Sequence, residues 1–117
     1  MWWLAQGEHE VPVGADWLTP RERRILAEFR FTKRRVEFLT RRWTAKRAVA
    51  MVLGRSLDAA ALAAVEIRHH ASGAPWVAVD GQPAAVDVSI SDRAGWAVCL
   101  VGPAGGAGGA LGIDLEL

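Results

Sequence analysis

Cysteine is almost missing from this 117-residue chain: Cys99 stands alone. No internal disulfide can form, which fits a reducing compartment. The setting of that cysteine, Trp-Ala-Val-Cys-Leu-Val, is that of a buried structural thiol rather than a nucleophile. Long apolar runs are also lacking, and none approaches the roughly 20 residues that a membrane span needs. The N-terminus, Met-Trp-Trp-Leu-Ala-Gln-Gly-Glu, has neither the basic flank nor the apolar stretch of a signal peptide, so a cytoplasmic location is expected. No internal repeat is present. The glycine-rich stretch 103–110 reads as a loop joining two strands, and the lack of a following Lys-Ser/Thr argues against a nucleotide P-loop. What remains is one soluble domain over residues 1–117, large enough for a single core.

The net charge of +1 conceals a segregation. Between Arg21 and Arg47 lie eleven Lys or Arg and three acids, whereas the rest of the chain holds three basic residues and ten acids. Such asymmetry suits an anionic partner for the basic segment, although on charge alone a solvated helix face is the better account. Leu18-Thr19-Pro20-Arg21-Glu22 opens a helix: Thr19 as N-cap, Pro20 at the first position and Glu22 closing a capping box. A longer helix capped by Thr32 follows. Val36, Leu39, Trp43, Ala50 and Leu53 supply its apolar stripe, the charged residues take the other faces, and Gly54 is its stop.

A short helix with Asp58 at its cap comes next. The pattern then turns to strands. Residues 65–70 alternate, Pro75–Val79 is β-like, and Asp80-Gly81 signals a hairpin turn. Residues 86–92 alternate, and Gly95–Gly102 is nearly all apolar. Residues 111–117 form the expected last strand. The fold class is therefore α+β, with helices packed on a small, mainly antiparallel sheet.

That last strand, Leu-Gly-Ile-Asp-Leu-Glu-Leu, carries Asp114 and Glu116 on one face with Cα atoms roughly 6–7 Å apart. Carboxylates so placed repel unless they are solvated or share a cation. Mg²⁺ suits them, because it takes oxygen ligands and commonly uses one or two carboxylates completed by phosphates and water. The simpler alternative is a strand with one wet face. An acid pair beside a basic segment describes a site for a metal-bound polyphosphate.

The order of these motifs resembles the 4'-phosphopantetheinyl transferases. It runs from the helix at Thr19, through Phe29–Gly54, Ser72-Gly73-Ala74-Pro75 and Ser89-Ile90-Ser91-Asp92, to Gly112-Ile113-Asp114-Leu115-Glu116. The likeness is to the N-terminal half of the larger, pseudo-two-fold class. It implies Mg²⁺-dependent transfer of the phosphopantetheine arm of coenzyme A to a serine of an acyl or peptidyl carrier protein, with release of adenosine 3',5'-bisphosphate. It implies Asp114 and Glu116 as metal ligands, Gly73 and Pro75 near the adenine, and Ser91 at a phosphate.

The chain departs from the family pattern at several points. Asp92 stands where the family has a phosphate-binding histidine, and an anion there repels phosphate unless it pairs with Arg93 or a helix arginine. Ala74 replaces a lysine. Glu37 occupies the place of an early helix arginine, with Arg34 and Arg35 as substitutes. The Trp-x-x-Lys-Glu element of the family's second half, which completes the metal site and assists catalysis, is missing. The resemblance therefore implies half of an enzyme, inactive alone and completed by a complementary C-terminal half or by self-association. Two other functions compete. One is a nucleic-acid-binding module on the basic helices, disfavoured because no helix-turn-helix or RNA-binding signature is present. The other is a non-catalytic interaction domain.

Overall fold

The computed structural model describes residues 1–104. Six strands and three α-helices follow in the order β1 (Trp2–Gly7), α1 (Pro20–Glu28), α2 (Thr32–Val52), α3 (Ala59–Ala63), β2 (Val65–His69), β3 (Pro75–Val79), β4 (Gln82–Pro83), β5 (Val86–Arg93) and β6 (Trp96–Pro103). A single 3₁₀ turn, Glu8–Glu10, follows β1. The strands form two antiparallel three-stranded sheets, β1-β6-β5 and β2-β3-β4, rather than one. The expected strand at 111–117, with Asp114 and Glu116, lies outside the described residues.

Local chemistry sets the helix ends. Thr19 Oγ1 accepts from the Glu22 backbone N–H at 3.2 Å, and Glu22 Oε1 accepts from the Thr19 N–H at 3.0 Å, which is the expected capping box. Helix α2 starts differently from expectation. Its N-cap is Phe31, with no side-chain cap bond, and Thr32 is already helical. The Arg35 N–H reaches Phe31 O at 3.1 Å, so the first turn closes one residue earlier than a Thr32 cap allows. At the other end Gly54 adopts φ +69. Arg55 N–H then donates to Ala50 O at 2.8 Å and Gly54 N–H to Met51 O at 3.2 Å, a Schellman stop. Asp58 caps α3 by accepting from Ala61 N–H at 2.8 Å.

Helix α2 lies between two cores. Ala45, Ala48 and Val49 pack with Val65, Ile67 and Val77 of β2–β3 and with Val88, Cys99 and Val101 of β5–β6. Phe38 and Ala50 pack on another side with Trp17, Leu18, Leu26 and Leu62. The single apolar stripe expected from the sequence is therefore corrected. So is the placing of every charge on exposed faces, because Lys46 is 0% and Arg42 5% exposed. A helix buried on several sides has too few outward positions for all of its cations. Strand β1 has no counterpart among the sequence expectations. Its leading tryptophans, Trp2 and Trp3, are exposed, so no apolar alternation marks it.

Candidate functional site

The cations of α2 divide by their distance from solvent. Deepest is Lys46, whose ammonium lies 2.5 Å from Glu22 Oε1 and donates to Trp17 O at 2.9 Å and Leu62 O at 3.1 Å. The other Glu22 oxygen accepts from the Ile67 N–H at 3.2 Å and lies 3.4 Å from Arg42 Nε. One buried carboxylate thus caps α1 and ties it to α2 and β2. Burial pushes the Lys46 ammonium and the Arg42 guanidinium below their usual values, while Glu22 pulls both the other way. Arg42 Nε makes no hydrogen bond, and its guanidinium lies 4.6 Å over the Phe38 ring.

Arg42 also reaches the wall of a cavity of about 350 Å³, which Arg34, Phe38, Arg41 and His69 line with it. Residues 34, 38, 41 and 42 share one helix face by their spacing. Burial, followed by the nearby Arg42 and Arg41, lowers the pKa of His69. The cleft therefore presents three guanidiniums, an imidazole whose charged form is disfavoured, and the Glu37 carboxylate at its edge. Its chemistry is that of a phosphate site with an aromatic wall. A second cavity of about 620 Å³ lies on the other side of Glu37, lined also by Lys33, Thr40, Asp92, Arg93 and Trp96. Arg41 and Asp92 join the two cavities through an ion pair at 3.1 Å.

The residues named from the sequence are distributed as follows. Arg34 lies in the arginine cleft. Arg35 turns away, donating to Leu26 O at 3.0 Å at the end of α1. Gly73, at φ +92, lies in the β2–β3 turn, and Pro75 opens β3 opposite His69, so the turn stands next to the cleft. Asp92 faces α2 and pairs with a helix arginine, the condition under which its charge is compatible with a phosphate nearby. Ser91, the preceding residue of β5, points to the other face of the sheet, so it and Asp92 cannot meet the same group. Arg41, Arg42 and His69 were not among the expected site residues. For Arg41 and Arg42 the signal is the i, i+4, i+7, i+8 spacing of residues 34, 38, 41 and 42 on one helix face; His69, on β2, has no such signal.

Among the described residues, no cluster of three or more His, Cys, Asp or Glu side chains is placed to hold a metal. The Trp-x-x-Lys spacing does occur within α2, at Trp43 and Lys46, but the next residue is Arg47 instead of glutamate. The Arg47 guanidinium donates to Gln6 Oε1 on β1. A cation and an amide at that seam do not fit Mg²⁺. The carboxylates of Asp114 and Glu116, by the chemistry of their oxygen donors, do.

The described fold is shared with holo-[acyl-carrier-protein] synthases. The enzyme of Neisseria meningitidis superposes with a TM-score of 0.69 at 20% identity, over 85% of this chain and 92% of that one. That of Bacillus anthracis, solved in complex with CoA (3',5'-ADP), gives 0.68 at 22% identity over 85% and 90%. The Helicobacter pylori enzyme, in complex with coenzyme A, gives 0.64 at 14% identity over 85% and 95%. At these identities the likeness establishes the fold. Among curated protein sequences none matches. The model of the 4'-phosphopantetheinyl transferase superfamily matches residues 7–101. With that match over most of its length, the chain belongs to the 4'-phosphopantetheinyl transferase superfamily.

Proposed function

We propose that this chain transfers the 4'-phosphopantetheine arm of coenzyme A to a serine of an acyl or peptidyl carrier protein in the cytoplasm. The observation that supports this most directly is the convergence of Arg34, Arg41, Arg42 and His69 beside the Gly73–Pro75 turn, in a chain of this family. The arginines take the phosphates of coenzyme A as charge-assisted partners, and the turn borders the adenine. Arg42 is held ready by Glu22 and Phe38, so little side-chain entropy is lost on binding. Asp114 and Glu116 are the residues that would hold Mg²⁺, and the ion, when bound, supplies Lewis-acid polarisation of the pyrophosphate.

The chain furnishes one half of a complete site. A complementary half or a second copy supplies the remaining metal ligand and the base. The likeness to nearly whole holo-synthase chains favours the second copy.

The test is transfer to an apo carrier protein with coenzyme A and Mg²⁺, read as the mass gained by the carrier. A demonstrated monomer is expected to be inactive, with turnover appearing on self-association or on addition of a complementary half. Robust turnover by the monomer would overturn the half-site reading. Failure to bind coenzyme A would overturn the transferase reading itself.

A further inference from the structure

Asp92 is an unusual neighbour for a phosphate-binding cleft. Its side chain is 21% exposed and its partner Arg41 is 37% exposed, so the pair sits at the surface, within reach of a ligand. Arg41 lines the arginine cleft, Asp92 lines the larger cavity, and Glu37 lines both. The Arg41–Asp92 pair is thus part of the partition between the two cavities. Strand alternation aims Asp92 at α2, in register with Ala97 of β6, and that residue in turn lies opposite Gln6 of β1.

We infer that Asp92 is an internal counter-anion, which holds Arg41 in the ligand-free chain and is displaced when a substrate phosphate takes that guanidinium. This deepens the coenzyme A reading and rests on it. A phosphate group with two charged oxygens outcompetes a single, partly exposed carboxylate, because it can engage Arg41 while also meeting Arg34 and Arg42. Once released, Asp92 borders the larger cavity, which Lys33 and Arg93 line together with Glu8 and Glu37. Its departure opens the arginine cleft toward that cavity. Asp92 consequently lowers affinity for phosphates in general and sets a threshold that only a ligand with several phosphate contacts passes. It is a positioning residue, acting through Arg41 and not on the reacting atoms.

The experiment is calorimetric titration of two probes, inorganic pyrophosphate and adenosine 3',5'-bisphosphate, into the full chain without metal. Asp92→Asn is expected to bind both about two- to fivefold more tightly than the wild type, the range that a partly exposed ion pair supplies. Asp92→Glu is expected to stay near wild type. Asp87→Asn removes the same charge from the other face of β5 and is expected to give no gain. With Arg41→Gln in the background, the gain from Asp92→Asn is expected to vanish.

Unchanged or weaker binding by Asp92→Asn overturns the inference, as does an equal gain from Asp87→Asn or a gain that survives Arg41→Gln. The two probes separate this from the coenzyme A reading. A wild type that binds pyrophosphate but gains nothing from the adenosine defeats the nucleotide reading, while the Asp92→Asn response to pyrophosphate still decides this one. A wild type that binds neither probe, with Asp92→Asn also silent, overturns both. Circular dichroism of each variant confirms the fold, and Asp92→Glu supplies the conservative control.

Discussion

Glu22 joins α1, α2 and β2 through one buried side chain. Its two oxygens meet the Thr19 and Ile67 backbone N–H groups, the Lys46 ammonium and Arg42 Nε, and neither Glu22 nor Lys46 has any exposed surface. Removing one partner of such a pair leaves a buried charge without compensation. Lys46→Met is therefore expected to cost about 3–5 kcal/mol in urea unfolding, even though methionine fills a similar volume. Arg34→Ala, at the cleft wall, is expected to cost less than about 0.5 kcal/mol. A Lys46→Met variant as stable as wild type would show that the pair contributes nothing.

His69 gives a pH-dependent counterpart. Its folded pKa lies below the unfolded value of 6.5, first through burial and then through Arg42 and Arg41. The unfolded chain therefore binds the proton more readily. The contribution of His69 to stability is full above the unfolded pKa and falls as pH drops through 6.5 toward the folded value. Urea unfolding at pH 7.5 and 5.5 should show a larger loss for wild type than for His69→Gln, and parallel losses would remove His69 as the cause.

The ends of the helices show which parts of an element can be seen in a sequence. The Thr19–Glu22 capping box, the Gly54 stop and the Asp58 cap depend on residues within six positions of each other, and all three form as the local pattern implies. The start of α2 does not, because Thr32 satisfied the residue preference for a cap while Phe31 took the position. Thr19→Ala is accordingly expected to cost about 1 kcal/mol and Thr32→Ala only a few tenths, both read by thermal unfolding. Equal costs would mean that Thr32 caps α2 in solution.

The faces of α2 were less legible for a different reason. Which cation of a helix is buried depends on a carboxylate from another element, and Glu22 lies 24 residues before Lys46 in the chain. Arg42 and Lys46 look the same in the sequence as Arg34, which is held at a cleft. Strand β1 stayed hidden because its pairing partner, β6, lies about 90 residues or more away. The hairpin turn at Asp80-Gly81 was visible because two adjacent residues, at φ 52 and φ 80, suffice to make it. Arg34 in the cleft and the Gly73–Pro75 turn beside it follow from the family likeness, whereas His69 carries no local signal, because the helix it meets lies 27 residues and more upstream.

At the scale of the whole molecule, Cys99 reports on how these parts hold together. It lies in β6, the central strand of its sheet, between Leu4 of β1 and Ile90 of β5, and it faces α2 in the core with Ala45, Ala48 and Val49. Its thiol is fully buried, and burial pushes its pKa up to about 12. A thiol reagent needs both access and thiolate, and the folded chain offers neither. Labelling therefore requires α2 to separate from the sheet, an opening that also dismantles the arginine cleft, because Arg34, Arg41 and Arg42 are on that helix. A ligand of the cleft binds only the closed state. In the regime where reclosing outpaces labelling, it should slow the reaction by the factor 1 + [L]/Kd.

With adenosine 3',5'-bisphosphate at a hundred times its Kd, labelling of Cys99 is expected to slow about a hundredfold, equivalent to about 2.7 kcal/mol. A local opening would behave differently. If fraying of β1, an edge strand with two exposed tryptophans, were enough to expose the thiol, the ligand would leave the rate unchanged and Leu4→Ala would raise it. Measuring both rates decides whether the cleft and the sheet open as one unit. Ligand-insensitive labelling would show that the core around Cys99 opens independently of the site that α2 carries.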